Sequence, residues 1–217
     1  STSSGTQNAA AIFGGYLGPP GVTNLTEEYN GSGWSSGSNL GTARYYVGGA
    51  GTLAAALAFC GGAGVPGGPV MTGATEEYDG STWTAGGTMV PAKLYQGTGT
   101  GTQTAAMCFG GPPVLYPASP AGTNTVEEYN GASWTSSPAM PRVNRNQAGF
   151  GTTSAAVTAG GNDFTTDSDE WNGTGWSAGG TMLSARDAAN AVGTQTSGLL
   201  MGGGNPVTSL LTTAYKY

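Results

Sequence analysis

The chain has 217 residues, of which 41 are glycine and only 8% are charged, against roughly 25% in an average soluble protein. Its net charge of −6 and pI near 4.3 give no basic surface for nucleic acid or for an anionic membrane. The longest apolar run, Leu53 to Cys60, is too short to span a membrane. We therefore expect neither nucleic-acid binding nor membrane insertion, and a single domain over residues 1–217.

One phrase recurs along the chain: two acidic residues, an aromatic residue, Asn-Gly or Asp-Gly, and a tryptophan. The tryptophans that end it are 49, 51 and 42 residues apart. Periods of 40 to 50 residues with several short strands are typical of β-propellers. The repeats fall at approximately 1–40, 41–88, 89–139, 140–182 and 183–217. The acidic and aromatic members are Glu27, Glu28, Tyr29 and Trp34; Glu76, Glu77, Tyr78 and Trp83; Glu127, Glu128, Tyr129 and Trp134; and Asp169, Glu170, Trp171 and Trp176.

Four strands, a to d, can be placed in each repeat. Strand a begins at a basic residue, strand b is an apolar run into a glycine pair, strand c carries the acidic residues, and strand d carries the tryptophan. The Asn-Gly and Asp-Gly pairs predict a tight primed hairpin turn between c and d. Strand b is apolar on both faces, which is expected where neighbouring blades cover it. The basic residues assigned to the start of strand a are Arg44, Lys93, Arg142 and Arg186.

Two cysteines lie in the apolar runs. Aligning the glycine pairs puts Cys60 and Cys108 one register step apart, on opposite faces of their blades. We expect no disulfide between them and interpret both as small buried hydrophobic residues without a metal or redox role.

Counting the strands gives five blades with incomplete ends. The first blade has only Ser1 to Thr6 as a remnant of strand a, and the fifth lacks strand d, with residues 213–217 as its strand c. Closed propellers usually complete a split blade from both termini. Three explanations remain open: further residues, edges supplied by a neighbouring chain, or an imperfect closure of the ring.

These residues resemble the kelch repeat family, which has a basic residue, an apolar strand ending in Gly-Gly, a Glu-x-Tyr-like strand and a later tryptophan. The chain is similar to a glycine-rich, weakly charged variety of kelch-like repeat found in structural and tail-associated proteins of environmental bacteriophages. The resemblance implies a propeller of four-stranded blades and a virion or extracellular location.

Few polar residues are left over for catalysis. Eight of the twelve acidic residues and four of the six basic ones occupy repeat positions, and histidine is absent. Adjacent acidic residues on a strand point to opposite faces, so they cannot flank a glycosidic bond. Asp163 and Asp167, next to Asp169, are a weak candidate for calcium, and ordinary loop aspartates are the better interpretation. We expect no enzyme activity, no cofactor and no metal.

The most variable segments between repeats are the b-to-c loops. Together with the d-to-a loops they leave from one end of the propeller, and variable loops on a rigid scaffold are where binding residues concentrate. The candidate binding residues on this rim are Tyr16, Leu17, Pro66, Met71, Val114, Leu115, Tyr116 and Phe164.

Two functions remain. The first is a structural or attachment module whose partners are other proteins of an assembly or a host surface receptor, with oligomerisation through the incomplete terminal blades as a further option. The second is a carbohydrate-binding propeller with one shallow site per blade.

Overall fold

The computed structural model describes residues 1–18, 21–64, 70–92, 98–111, 122–161, 164–205 and 210–217. Strands account for the regular structure of these residues, and each main sheet is antiparallel with consecutive strands as neighbours. The innermost strands of the sheets pack side by side around one axis. The predicted all-β, five-bladed propeller is confirmed.

The first two blades each have four strands. In the second blade, a small hairpin lies between the second and third main strands. The strands of the first blade are β1 (Thr2–Thr6), β2 (Ala9–Tyr16), β3 (Val22–Tyr29) and β4 (Trp34–Ser36). Those of the second are β5 (Gly48–Thr52), β6 (Ala55–Phe59), β9 (Thr75–Tyr78) and β10 (Trp83–Ala85), with β7 (Gly62–Ala63) and β8 (Val70–Met71) as the hairpin.

The third and fourth blades also have four strands, and the fifth has three. The third comprises β11 (Thr98–Thr102), β12 (Ala105–Phe109), β13 (Val126–Tyr129) and β14 (Trp134–Ser137). The fourth comprises β15 (Ala148–Thr152), β16 (Ala155–Ala159), β17 (Ser168–Trp171) and β18 (Trp176–Ala178). The fifth comprises β19 (Asn190–Thr194), β20 (Ser197–Met201) and β21 (Ala214–Lys216).

The first blade differs from the sequence prediction. Its strand a is complete: β1 pairs with β2 over five residues, from Thr2 opposite Phe13 to Thr6 opposite Ala9. The sequence suggested only a remnant because no basic residue precedes this strand. Within the described residues, the fifth blade has no strand d, as expected.

The core lies between blades, because strand b is apolar on both faces. We call the face of a blade that contacts the next blade its leading face, and the face that contacts the preceding blade its trailing face. Leu57 and Phe59 on the leading face of blade 2 pack against Ala106 and Cys108 on the trailing face of blade 3. The larger side chains of one blade thus meet the smaller side chains of the next, which lets the sheets interdigitate at interior density.

Glycine is required where a phenylalanine ring crosses an inner strand. A Cβ atom at Gly48 would lie 2.2 Å from the ring of Phe59 in the same blade, and one at Gly99, on the inner strand of the next blade, would lie 2.4 Å from the same ring. These strands could not keep their present spacing with any other residue at the two positions. Close approach of strands explains much of the glycine content.

The strand-d tryptophans also join neighbouring blades. The Trp83 ring lies 4.9 Å from Phe13 of blade 1, and its Nε1 donates to Thr26 Oγ1 at 3.0 Å. Trp134 Nε1 donates likewise to Thr75 Oγ1 at 2.8 Å, and Trp176 Nε1 to the carbonyl of Pro138 at 3.0 Å. These three rings are therefore used for packing.

The c-to-d connection is not the predicted primed turn. Tyr29 pairs with Trp34, which leaves four residues in the loop, and Gly31 has a φ of 94° while Asn30 keeps a negative φ. A type I′ turn needs positive φ at both of its central residues. Instead, the Asn30 side-chain oxygen accepts hydrogen bonds from the amides of Ser32 and Gly33, both at 3.0 Å. The asparagine acts through its side chain.

The cysteine register also differs from the prediction. Phe59 and Phe109 occupy equivalent positions, so Cys60 is equivalent to Gly110, and it takes the same left-handed backbone, with φ of 57° against 66°. The two cysteines are thus two steps apart and lie in one buried cluster. Both are buried, as expected, neither is in a disulfide, and Cys60 Sγ lies 3.2 Å from Met89 Sδ. Cys60 and Gly61 are therefore equivalent to the glycine pair Gly110-Gly111. Because Gly62 follows them, the sequence suggested Gly61-Gly62 as the pair instead.

We predict that Trp83→Ala lowers the free energy of unfolding by about 3 to 5 kcal/mol, because it removes a ring packed between two blades. Urea denaturation followed by circular dichroism measures this. Trp34→Ala is the matched control: Trp34 is 53% exposed and should lower it by about 1 kcal/mol or less. Equal losses for both variants would contradict the packing role of Trp83.

Candidate functional site

A central cavity opens at the end of the propeller from which the b-to-c and d-to-a loops leave. Its volume is about 840 Å³, and every inner strand contributes to its wall near the strand's first residue. Because small residues dominate these strands, much of the wall is backbone. Residues from the inner strands in the wall include Thr2, Gly48, Gly99, Ala148 and Asn190.

The described lining of the cavity is polar but carries no charged side chain. Its polar groups are hydroxyls of the first three residues and the amides of Asn146, Gln147 and Asn190. The side-chain oxygen of Asn146 is buried and accepts no hydrogen bond within the described structure. An amide oxygen in that state can accept a hydrogen bond from a water or a ligand hydroxyl. The described wall is therefore suited to hydrogen-bonding a neutral ligand and lacks an acid–base pair.

Aromatic side chains gather on the rim between blades 1 and 2. The rings of Tyr16 and Tyr45 are 6.4 Å apart, and those of Tyr45 and Tyr46 are 4.8 Å apart. Tyr45 also exchanges two backbone hydrogen bonds with Gly62, which pairs with Met71 in the β7–β8 hairpin. We call Tyr16, Tyr45, Tyr46 and Met71 the rim cluster. The sequence pattern assigns Tyr45 and Tyr46 to strand a, which was expected to begin at Arg44, whereas β5 begins at Gly48 and both tyrosines lie in the loop before it.

The other predicted rim residues do not belong to the rim cluster. Leu17 is exposed next to the rim cluster, whereas Phe164, also exposed, lies on blade 4, where no described contact joins it to that cluster. Pro66, Val114, Leu115 and Tyr116 lie outside the described residues. The structure thus brings together two of the predicted residues, Tyr16 and Met71.

The basic residues assigned to strand a join strands within a blade. Arg44 is fully buried, donates to Glu76 at 2.7 Å and donates to the carbonyls of Cys60 and Ala74. Burial lowers the pKa of the Arg44 guanidinium, and the charge of Glu76 opposes this shift. Arg186, also fully buried, donates to the carbonyl of Gly202, to Thr213, and lies over the Tyr215 ring at 4.4 Å.

Blade 4 departs from this arrangement. Asn144, not Arg142, occupies the position of Arg44 and Arg186, and its amide donates to the carbonyl of Gly160 at 2.8 Å. Arg142 lies two residues earlier and contacts Asp167 at 3.1 Å and Asp169 at 3.2 Å. Burial raises the pKa of Asp169, and the Arg142 charge opposes it. Lys93 lies outside the described residues.

Asp167 is thus an ion-pair partner, and Asp163 lies outside the described residues. Across the ranges that the structure describes, no group of three or more Cys, Asp or Glu side chains is placed to hold a metal ion. In the same ranges, no helix has the length and apolarity to cross a membrane.

In three of the four phrases the second acidic residue accepts a hydrogen bond from a tyrosine of the next blade, whereas Glu128 accepts one from Ser137 of its own blade at 2.6 Å. The Tyr78 hydroxyl donates to Glu28 of the preceding blade, the Tyr129 hydroxyl to Glu77 at 2.5 Å, and the Tyr217 hydroxyl to Glu170 at 2.5 Å. Burial, followed by the bond to Glu28, raises the pKa of Tyr78 to about 12. The two adjacent acidic residues therefore serve two contacts on opposite faces.

Comparison with known proteins supports the fold and extends no further. No known protein family matches the chain, and no curated protein matches its sequence. A solved structure described as "Structure of YjhT" superposes with a TM-score of 0.79 at 14% sequence identity. The match covers 99% of this chain and 79% of that one. At this identity the likeness shows a shared propeller fold.

We predict that Arg44→Met lowers the free energy of unfolding by about 3 to 5 kcal/mol, because it leaves the carboxylate of Glu76 buried without its cation. Chemical denaturation at pH 7 measures the loss. The double variant Arg44→Met, Glu76→Gln is the control and should recover part of it, since no buried charge remains. A double variant less stable than the single one would contradict this account.

We predict that Tyr78→Phe lowers the free energy of unfolding at pH 8 by about 1.5 to 3 kcal/mol, through loss of the bond to Glu28. The contribution of the Tyr78 hydroxyl is fully present below its ordinary pKa of 10.0 and is lost as pH rises towards about 12, because its folded pKa is raised. The difference between variant and wild type should therefore shrink over that range. Denaturation at pH 8, 10 and 11 checks this.

Tyr29→Phe is the matched control for that experiment. Tyr29 holds the same position in blade 1, and no described residue accepts a hydrogen bond from its hydroxyl. Its replacement should change stability at pH 8 by about 0.5 kcal/mol or less. A pH-independent difference for Tyr78→Phe would rule out the assigned contact.

Proposed function

We propose that the chain is a non-enzymatic binding module that acts through its loop rim, in a virion or another extracellular assembly. Its partners are other proteins of that assembly or a receptor on a host surface. The observation that carries the proposal is the division of its side chains: the buried charges hold strands and blades together, while Tyr16, Leu17 and Val70 are exposed on the rim around the buried Tyr45. Rigid aromatic anchors on a weakly charged surface are typical of protein interfaces.

The cavity wall supports a binding role over a catalytic one. General acid–base and nucleophilic catalysis mostly use titratable side chains within reach of a substrate, and the side chains of the described wall carry only amides, hydroxyls and apolar groups. The virion or extracellular location draws its support from the resemblance to glycine-rich kelch-like repeats of bacteriophage tails. Capsid or tail genes next to the coding sequence would support that location.

The alternative of one carbohydrate site on each blade has less support. It needs an accessible aromatic ring at equivalent positions, and Trp83, Trp134 and Trp176 are packed between blades. A single glycan in the central cavity is the form of this alternative that the amide-rich wall favours.

We predict that the fluorescently labelled chain binds intact bacterial cells from a host panel and that Tyr16→Ser weakens this binding by about tenfold, since an aromatic anchor at an interface is worth more than 1 kcal/mol. Flow cytometry over a concentration series measures the affinity. Ala54→Ser, exposed at the opposite end of the propeller, is the control and should bind like the wild type.

A glycan array run with the same three proteins separates the two functions. Binding to glycans that is unaffected by Tyr16→Ser would favour the cavity as a carbohydrate site. Failure to bind any cell in the panel and any glycan, or equal loss in both variants, would overturn the rim as the binding surface.

A further inference from the structure

The blade interfaces share a set of contacts with a donor side and an acceptor side. The donors lie on the trailing face and reach into the preceding blade: Trp83, Trp134 and Trp176 in blades 2 to 4, Tyr78, Tyr129 and Tyr217 in blades 2, 3 and 5, and a glutamine in blades 3 and 5. Gln103 Nε2 donates to the carbonyls of Ala56 and Tyr78, and Gln195 Nε2 to those of Ala156 and Trp171. The leading face of the preceding blade supplies the hydroxyl, carboxylate and carbonyl acceptors.

The trailing face of blade 1 carries equivalent donor side chains, and the described residues supply no acceptor for them. Gln7 is at the position of Gln103 and Gln195, and it is exposed. Trp34 is 53% exposed, and no hydrogen bond from its indole is found within the described structure. Glu27 is exposed as well, although the equivalent Glu76, Glu127 and Asp169 are all buried.

The leading face of blade 5 is uncovered in a complementary way. Leu199 is 38% exposed, whereas the equivalent Leu57, Met107 and Val157 are 0% exposed. Val192 on β19 is 55% exposed, whereas the equivalent Ala50 and Phe150 are buried. Apolar side chains that every other blade buries are thus left in solvent here.

These two uncovered faces bound one gap. The inner strands pack in the order β1, β5, β11, β15 and β19, and among these described strands no comparable packing joins β19 to β1. Ile12 of blade 1 and Met201 of blade 5 both line the central cavity, so the cavity opens sideways between them. The ring is open at this point.

The size of the gap follows from the solved propeller compared above. Five blades correspond to 79% of that chain, or about 16% for each blade, so its unmatched 21% leaves room for one blade and not for two. A whole second copy does not suit a gap bounded on both sides by blades of the same ring. A single four-stranded sheet does.

We propose that the gap between blades 5 and 1 is the docking site for one additional blade of the same repeat. Its leading face would present a hydroxyl to Trp34, a carboxylate to the Tyr29 hydroxyl and two carbonyls to Gln7. Its trailing face would present small side chains to Leu199. Blade 4 already offers the first set of groups, because Glu170, Ala156 and Trp171 accept from Tyr217 and Gln195 of blade 5.

The test adds such a blade from the chain's own sequence. Tyr217 occupies the position of Tyr129, so a second copy of residues 130–178 appended after Tyr217 supplies a strand d to blade 5 and then a complete copy of blade 4. The control carries the same 49 appended residues in shuffled order. The melting temperature should rise by about 5 to 10 °C over that of the shuffled control.

Trp34 provides the specific readout. In the 217-residue chain, Trp34→Ala should leave the melting temperature within about 2 °C of wild type, whereas in the extended chain it should remove most of the gain. Trp34→Ala also identifies the part of the tryptophan emission that shifts to shorter wavelength when the blade docks.

Four results would overturn the proposal, three of them from the extended chain and its variant. The first is an extension that trypsin or chymotrypsin trims back to Tyr217 under native conditions. The second is a melting temperature equal to that of the shuffled control. The third is a Trp34→Ala effect of equal size in both chains. A 217-residue chain that elutes as a stable dimer with Trp34 buried would also overturn it, since a second copy would then cover these faces.

Discussion

The structure depends on covering both faces of every blade. Strand b has apolar side chains on both sides, so a blade alone would leave half of them in water, at roughly 25 cal/mol for each Å² exposed. Stacking blades around an axis resolves this, with Leu57 and Phe59 of one blade set against Ala106 and Cys108 of the next. A ring of such contacts needs the neighbouring sheets to be close, which is why the inner strand of blade 3 has a glycine, Gly99, against the Phe59 ring of blade 2.

The same constraint explains how the few charges are used. A buried charge needs a partner, and the two adjacent acidic residues of each phrase point to opposite faces. Glu76 therefore meets Arg44 within its own blade, while Glu77 accepts from Tyr129 of the next. Because most ionisable groups of the repeat are used in contacts within and between blades, few are left for the rim and the cavity wall. Under the proposed function, recognition at that end relies on aromatic surface and neutral hydrogen bonding.

Much of the fold was predictable because the repeat is a local pattern. Five copies of an apolar run, and four copies of the phrase that ends in Trp34, Trp83, Trp134 and Trp176, indicate blades without knowledge of their contacts. The candidate site was less predictable. Tyr16 and Met71 were found from loop composition, but Tyr45 and Tyr46 join them only because the d-to-a loop that leads from blade 1 into blade 2 passes beside Tyr16. Spacing along the chain carries no information on such a crossing.

The sequence by itself determined the blade number, the strand order within a blade and the identity of the residues at blade interfaces. Each of these follows from a sequence pattern that recurs once in every blade. Only the tertiary structure decided which equivalent positions are filled by different residues, such as Asn144 in place of an arginine and Cys60 in place of a glycine. It also decided that, among the described strands, the inner strands of blades 5 and 1 do not pack against each other as the other inner strands do. The physical reason is that register and ring closure are set by packing between sheets, and two identical repeat positions, Leu57 and Leu199, differ only in whether a neighbouring blade covers them.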